Sequence, residues 1–283
     1  MLHRLVQGWS ILLIDPFRLE TRLEGDWVAP LVPVGFENEA HLMPLVVRLK
    51  ELDPAQQGAL LGWLDQQDDA ERVCSALMFA DGDASGGRLK AHLGARLIVR
   101  RRDGGGYLFR YFDPDVARHF EWLFDEQQRA ALFGPCVRWA FAERGQWKVV
   151  TKPETKGFRP LVLDDRQSAS IERVGALNAV LSDVALPDEA HARYVLFKSV
   201  DGYLARAQQR GWQREPEWVV FAKLCLSCHP RFDAHPRVAA LMEQAREDES
   251  AFDDAVRAVD DGFWDSISAD MSAADEASER VLR

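Results

Sequence analysis

The spacing of apolar residues changes character midway along the chain. In the first half they come in short runs broken by turn residues. Trp9-Ser10-Ile11-Leu12-Leu13-Ile14 reads as a buried strand, halted by Asp15-Pro16. Val28 to Val34 is a second strand candidate; Pro30 and Pro33 cannot donate to a ladder and push it to a sheet edge. Pro54 to Gln67 predicts a helix, with Asp53 as N-cap and Pro54 at the first helical position. Val73 to Ala80 predicts a strand. Ala95 to Arg101 and Tyr107 to Asp113 predict a hairpin around Asp103-Gly104-Gly105-Gly106, where glycine permits the positive φ of a tight reversal. Along its second strand, a period of two sets Leu108, Arg110 and Phe112 on one face and Tyr107, Phe109 and Tyr111 on the other. Asp113-Pro114 then stops the strand and starts a helix. Cys136 to Phe141 and Trp147 to Thr151 form a further candidate strand pair.

After about residue 160 the period becomes helical throughout. Ile171, Val174, Leu177, Leu181 and Val184 form one stripe, and Phe197, Val200, Leu204 and Ala207 the next, closed by Gly211 as a C-terminal glycine. Further stripes run through Trp218, Phe221, Ala222 and Cys225, through Val238, Leu241, Met242 and Ala245, and through Phe252, Val256, Val259 and Phe263. Residues beyond Ser268 are small and polar and read as a frayed end. The stretch from Thr151 to Pro160 has prolines, a glycine and basic residues but no period, and reads as a linker. The expected fold class is therefore α+β: a mixed α/β lobe with a β-sheet over 1–152, a linker over 153–160, and an all-helical lobe over 161–283.

Charge sharpens this picture. The chain has a net charge of -10, and Glu243 to Arg283 holds thirteen acidic and four basic residues, so -9 of it lies there. An acidic chain repels phosphate backbones, which argues against nucleic acid as a partner; the acidic end reads as a solvated helix face. Four cysteines in 283 residues make no disulfide framework. The apolar run at Trp9–Ile14 is too short for a signal peptide, and no stretch approaches the ~18 apolar residues of a membrane span. A cytoplasmic protein with no membrane contact is expected.

Several segments imitate functional motifs. Cys225-Leu226-Ser227-Cys228-His229 has the spacing of c-type haem attachment, and with His235 it has the donor types of a zinc site. A metal or haem protein built on Cys225, Cys228 and His229 is thus the alternative reading. Against it, Phe221, Cys225 and Cys228 share one helical face, where free cysteine packs as a small apolar residue. Asp81-Gly82-Asp83-Ala84-Ser85-Gly86 begins like a calcium loop, but His92 stands where its bidentate glutamate belongs. Gly82 and Gly87 space like a phosphate loop, but Arg88-Leu89 follows in place of lysine and serine or threonine. No nucleophile elbow and no zinc-protease motif occurs. No catalysis, metal or cofactor is expected.

Four blocks carry a family resemblance: Leu12-Leu13-Ile14-Asp15-Pro16; Ala29-Pro30-Leu31-Val32-Pro33; Leu89-Lys90-Ala91-His92-Leu93 followed by Tyr107-Leu108-Phe109-Arg110-Tyr111-Phe112-Asp113-Pro114; and Leu132-Phe133-Gly134-Pro135 with Trp139. They resemble the effector adaptor and chaperone family of type VI secretion. Phe112 departs from the tyrosine usual there, and a Glu-Ser pair usual after the strand ending near Ala80 is missing. The resemblance implies an adaptor that binds a type VI effector, through the effector's N-terminal region, and promotes its loading onto a VgrG-type spike protein. From the residues themselves, Asp15, Pro16, Arg110, Asp113, Pro114, Gly134 and Pro135 read as structural: aspartates that cap, prolines that stop, and an arginine facing Asp15 or Asp113. Trp212, Trp218 and Trp264 are candidates to line an effector groove in a cleft between the lobes, with core packing as the competing reading.

Overall fold

The computed structural model describes residues 9–19, 21–66, 74–79, 86–100, 106–143, 145–157, 160–247 and 251–281. The candidate calcium or phosphate loop before Gly86 and the hairpin tip at 103–105 lie outside them. The chain divides into two compact units, Met1–Ser168 and Ala169–Arg283.

The first unit is built on an antiparallel sheet of β1 (Ile11–Ile14), β2 (Val28–Pro30), β3 (Leu45–Arg48), β4 (Cys74–Phe79), β7 (Cys136–Glu143) and β8 (Gln146–Thr151), in the order β2-β3-β1-β4-β7-β8. All four residues of β1 are buried, which is why its sequence is apolar without alternation. On one face Leu12, Ile14, Val47 and Ala140 pack against Leu60, Trp63 and Leu64 of α1 (Pro54–Leu64). This helix starts with the expected cap, extended to a full capping box: Asp53 accepts from Gln56 N–H at 2.8 Å and Gln56 reaches back to Asp53 N–H at 3.0 Å.

The opposite face belongs to an aromatic cluster. Trp139 of β7 is fully buried and meets Tyr111, Phe120 and Phe133 edge-on, at centroid distances of 5.6, 5.5 and 5.6 Å. These rings come from α4 (Phe120–Leu123), α5 (Glu126–Phe133) and the segment before α3 (Pro114–Ala117). That segment corrects one expectation. After α2 (Gly86–Leu97), the hairpin is only β5 (Ile98–Arg100) and β6 (Gly106–Leu108). Beyond Leu108, Tyr111 N–H turns back to the Phe109 carbonyl and Asp113 N–H to the Arg110 carbonyl. The turn abolishes the two-sided alternation, and Phe109, Tyr111 and Phe112 are all fully buried.

The second unit is helical: the end of α6 (Asp165–Glu172), then α7 (Val174–Leu181), α8 (Ala190–Gln209), α9 (Glu215–Ser227), α10 (Pro236–Glu247), α11 (Phe252–Ala258) and α12 (Asp261–Val281). The first stripe is interrupted at Arg173, whose guanidinium pairs with buried Asp201 of α8 at 2.8 Å. α8 ends as expected at Gly211, which adopts φ +93° while Trp212 N–H bonds the Ala207 carbonyl and Gly211 N–H the Gln208 carbonyl. The last helix runs through Val281, so the expected fraying after Ser268 is corrected. Asp275 receives His229 and Arg231, and Ser268 Oγ donates to the Cys228 carbonyl, fastening that stretch to the end of α9.

Candidate functional site

Two Asp-Pro pairs stop extended chain and start helical turns. In each, one carboxylate oxygen caps: Asp15 Oδ1 accepts from Phe17 N–H at 3.1 Å, and Asp113 Oδ1 from Asp115 N–H at 2.9 Å. The second oxygen takes an arginine. Asp15 Oδ2 lies 2.5 Å from Arg110 Nη2; Asp113 Oδ2 lies 3.2 Å from Arg18 Nη2 and 3.3 Å from Arg110 Nη2. Arg18 follows Asp15 by three residues and Arg110 precedes Asp113 by three. Each Asp-Pro segment thus lends an arginine to the other's carboxylate, and Arg18 also reaches Asp115 at 3.0 Å. Asp15 is wholly buried (0% exposed), where an unpaired carboxylate would be severely unfavourable. Burial pushes the Asp113 carboxyl above its usual range, against the pull of Arg18, the Asp115 amide and Arg110. The Arg110 guanidinium lies 5.3 Å from the Phe17 ring centroid and 5.6 Å from that of Phe112, and Phe17 is 55% exposed.

The Gly134-Pro135 turn is equally built in. Gly134 follows α5 with φ +54°, and a Cβ there would sit 2.1 Å from Cε1 of His92. His92 Nε2 lies 3.0 Å from the Leu132 carbonyl, and Lys152 Nζ donates to the Gly134 carbonyl at 2.5 Å. Both side chains thereby serve carbonyls left open at the end of α5. Burial pushes the His92 pKa down; the contact with Leu132 opposes this, and Arg96 and Lys152 reinforce it. Arg18 and Lys152 escaped the sequence reading, and His92 entered it only as a calcium-loop mismatch and as part of the third block, with no role at Gly134. For Arg18 a signal existed, its i, i+3 spacing from Asp15; His92 and Lys152 reach Gly134 only through tertiary structure.

In the helical unit, Trp212 is buried and stacks on Phe252 at 4.8 Å. Trp218, half-buried, donates from Nε1 to the Trp212 carbonyl at 2.7 Å, and half-buried Trp264 meets Phe232 edge-on. The structure places all three in one apolar cluster. The Cys-x-x-Cys-His groups face different partners. Cys225 Sγ accepts from Arg206 Nη2 at 3.0 Å, Cys228 Sγ donates to the Trp264 carbonyl at 3.5 Å, and His229 Nε2 faces Asp275 at 3.2 Å. His235 turns to Asp270. Among the described residues no three His, Cys, Asp or Glu side chains converge as a metal ion would need. Burial pushes the thiols of Cys136 and Cys225 up to about 12 and that of Cys74 higher still.

A cavity of about 370 Å³ opens beside edge strand β2. Trp27, Pro30, Leu31 and Leu52 supply its apolar lining, and Asp26 and Arg48 are among its polar groups.

Residues 23–131 match the family model of a domain of unknown function, DUF4123. The match spans less than half of the chain. Arg110, Asp113 and Pro114 lie inside the DUF4123 segment; Asp15, Pro16, Gly134 and Pro135 lie outside it. The crossed ion pairs therefore tie the matched segment to the turn that follows β1, and every residue lining the cavity lies within the matched segment. Comparison with curated proteins and with solved structures gives no match. Among the described residues no helix is long and apolar enough to cross a membrane.

Proposed function

We propose that the protein is a cytoplasmic adaptor that binds a cognate type VI secretion effector, through the effector's N-terminal region, and promotes its loading onto a VgrG-type spike protein without catalysing a reaction. The observation that carries this reading is the DUF4123 match over residues 23–131, which contains the second and third of the four blocks that resemble type VI adaptors. The geometry is compatible with it in two respects. The motif residues Asp15, Arg110 and Asp113 pair with one another while the two carboxylates cap the turns that follow them, as a scaffold requires. The cavity beside β2 combines an apolar floor with charged groups, the arrangement that holds an anchoring side chain of a partner. Trp218 and Trp264 add their solvent-facing edges as further contact candidates in the helical unit.

The test is a tagged pull-down from the native bacterium with mass spectrometric identification, repeated with Ala29→Arg, which fills the cavity from an exposed position. Recovery of a toxin-like protein together with a spike protein, lost in the variant at unchanged melting temperature, supports the reading. A chain that purifies alone overturns it. Truncation of a true anchor at this cavity is expected to weaken binding by about 2 kcal/mol, roughly 30-fold.

A further inference from the structure

We infer that the outer edge of β8 is a self-association surface that pairs with β8 of a second copy of this chain about a two-fold axis, joining the two sheets. The inference is independent of the adaptor reading.

The two edges of the main sheet are treated differently. β2 is three residues long and contains Pro30, which protects an edge from further pairing. β8 is six residues long, Gln146-Trp147-Lys148-Val149-Val150-Thr151, with no proline and no register shift against β7. Its hydrogen-bonding phase is fixed by the hairpin pair Glu143↔Gln146 and by Lys152 N–H, which bonds the Val137 carbonyl at 2.9 Å. Gln146, Lys148 and Val150 therefore direct their amides and carbonyls toward β7, while Trp147, Val149 and Thr151 direct theirs outward. Among the described residues no backbone hydrogen bond reaches those outward groups. Val149, at the centre of the three, is 50% exposed.

This pattern complements itself. An antiparallel second copy with Val149 opposite Val149 brings Trp147 opposite Thr151 and Thr151 opposite Trp147. Every outward residue then exchanges both its bonds with an outward residue of the other copy. The exposed Val149 side chains meet at the axis as a cross-strand apolar pair. Lys148 comes to lie across from Val150 rather than across from its own copy, and its charge is already met by Glu121 at 3.6 Å. The contact is isologous, so it closes at a dimer.

Sedimentation equilibrium of the full chain over a wide concentration range tests this, with Val149→Lys and Val149→Pro as variants. Proline at 149 removes an amide that β7 does not use, and lysine sets like charges opposite each other at the axis. The expected result is a mass rising from monomer to dimer for the parent chain, and monomers for both variants at an unchanged melting temperature. Should proline perturb the hairpin, the lysine variant still decides. In hydrogen exchange, the amides of Trp147, Val149 and Thr151 are expected to gain protection with concentration in the parent only, while those of Lys148 and Val150, already bonded to β7, do not change. A parent that remains monomeric at its highest soluble concentration, or a dimer that both variants leave intact, overturns the inference.

Discussion

Arg110 is shared by two carboxylates, one of them sealed from solvent. Arg110→Ala leaves Asp15 buried with its short charge partner gone, and is expected to lower stability by about 3 kcal/mol; Arg110→Lys, which keeps the charge but not the fork, by about half of that. Urea midpoints measure both. Gly134→Ala is expected to cost about 3 kcal/mol, because the new methyl collides with the His92 ring and φ is positive. Made in a His92→Ala background it should cost only the backbone strain, about 1 kcal/mol, and a double-mutant cycle isolates the difference. His92 also sets a pH dependence. Its folded-state pKa is lowered, so the unfolded chain takes up the proton first, and stability falls as pH drops below the ordinary histidine range. Melting curves from neutral to mildly acid pH should show a smaller fall for His92→Gln than for the parent. At this scale the sequence disclosed Arg110 and its two possible carboxylates, because Asp-Pro pairs announce caps. It could not disclose His92 over Gly134, since that approach depends on how α2 lies against the end of α5.

The helix ends show how far local chemistry reaches. Asp53→Ala is expected to cost about 1 kcal/mol by removing one arm of the α1 capping box, and Gly211→Ala a similar amount through its positive φ. Paired thermal melts would check both, and a neutral Gly211→Ala would contradict the C-terminal motif. Both signals were plain in the sequence because the residue that satisfies the helix end is also the residue that marks it. β3 was not, since Leu45–Arg48 is only four residues long and pairs with Ile11–Ile14, far off in sequence. The hairpin ends earlier than its composition suggests, at Leu108, for a related reason. Phe109-Arg110-Tyr111-Phe112 has strand-like composition, but Trp139 and Phe120 offer more burial to a turned segment than to an extended one. The stretch after Ser268 is small and polar, but its alanines are strong helix formers and Asp275 anchors it to His229 and Arg231.

Across the whole chain, each unit has its own apolar cluster, one around β1, α1 and β4, the other around α9 to α12. A fragment starting at Pro160, which keeps α6 whole, is expected to give a helical far-ultraviolet circular dichroism spectrum and a cooperative melt; a coil spectrum would show that the helical cluster does not stand by itself. The buried thiols acquire a use at this scale. Cys136 and Cys74 sit in the first unit and Cys225 in the second, each shielded from solvent and held as thiol. Reaction with an alkylating reagent therefore has to wait for the surrounding structure to open. With the more accessible Cys228 changed to serine, the order in which Cys136 and Cys225 become labelled reports which half of the protein opens more often under native conditions, giving the molecule two internal clocks that need no added probe.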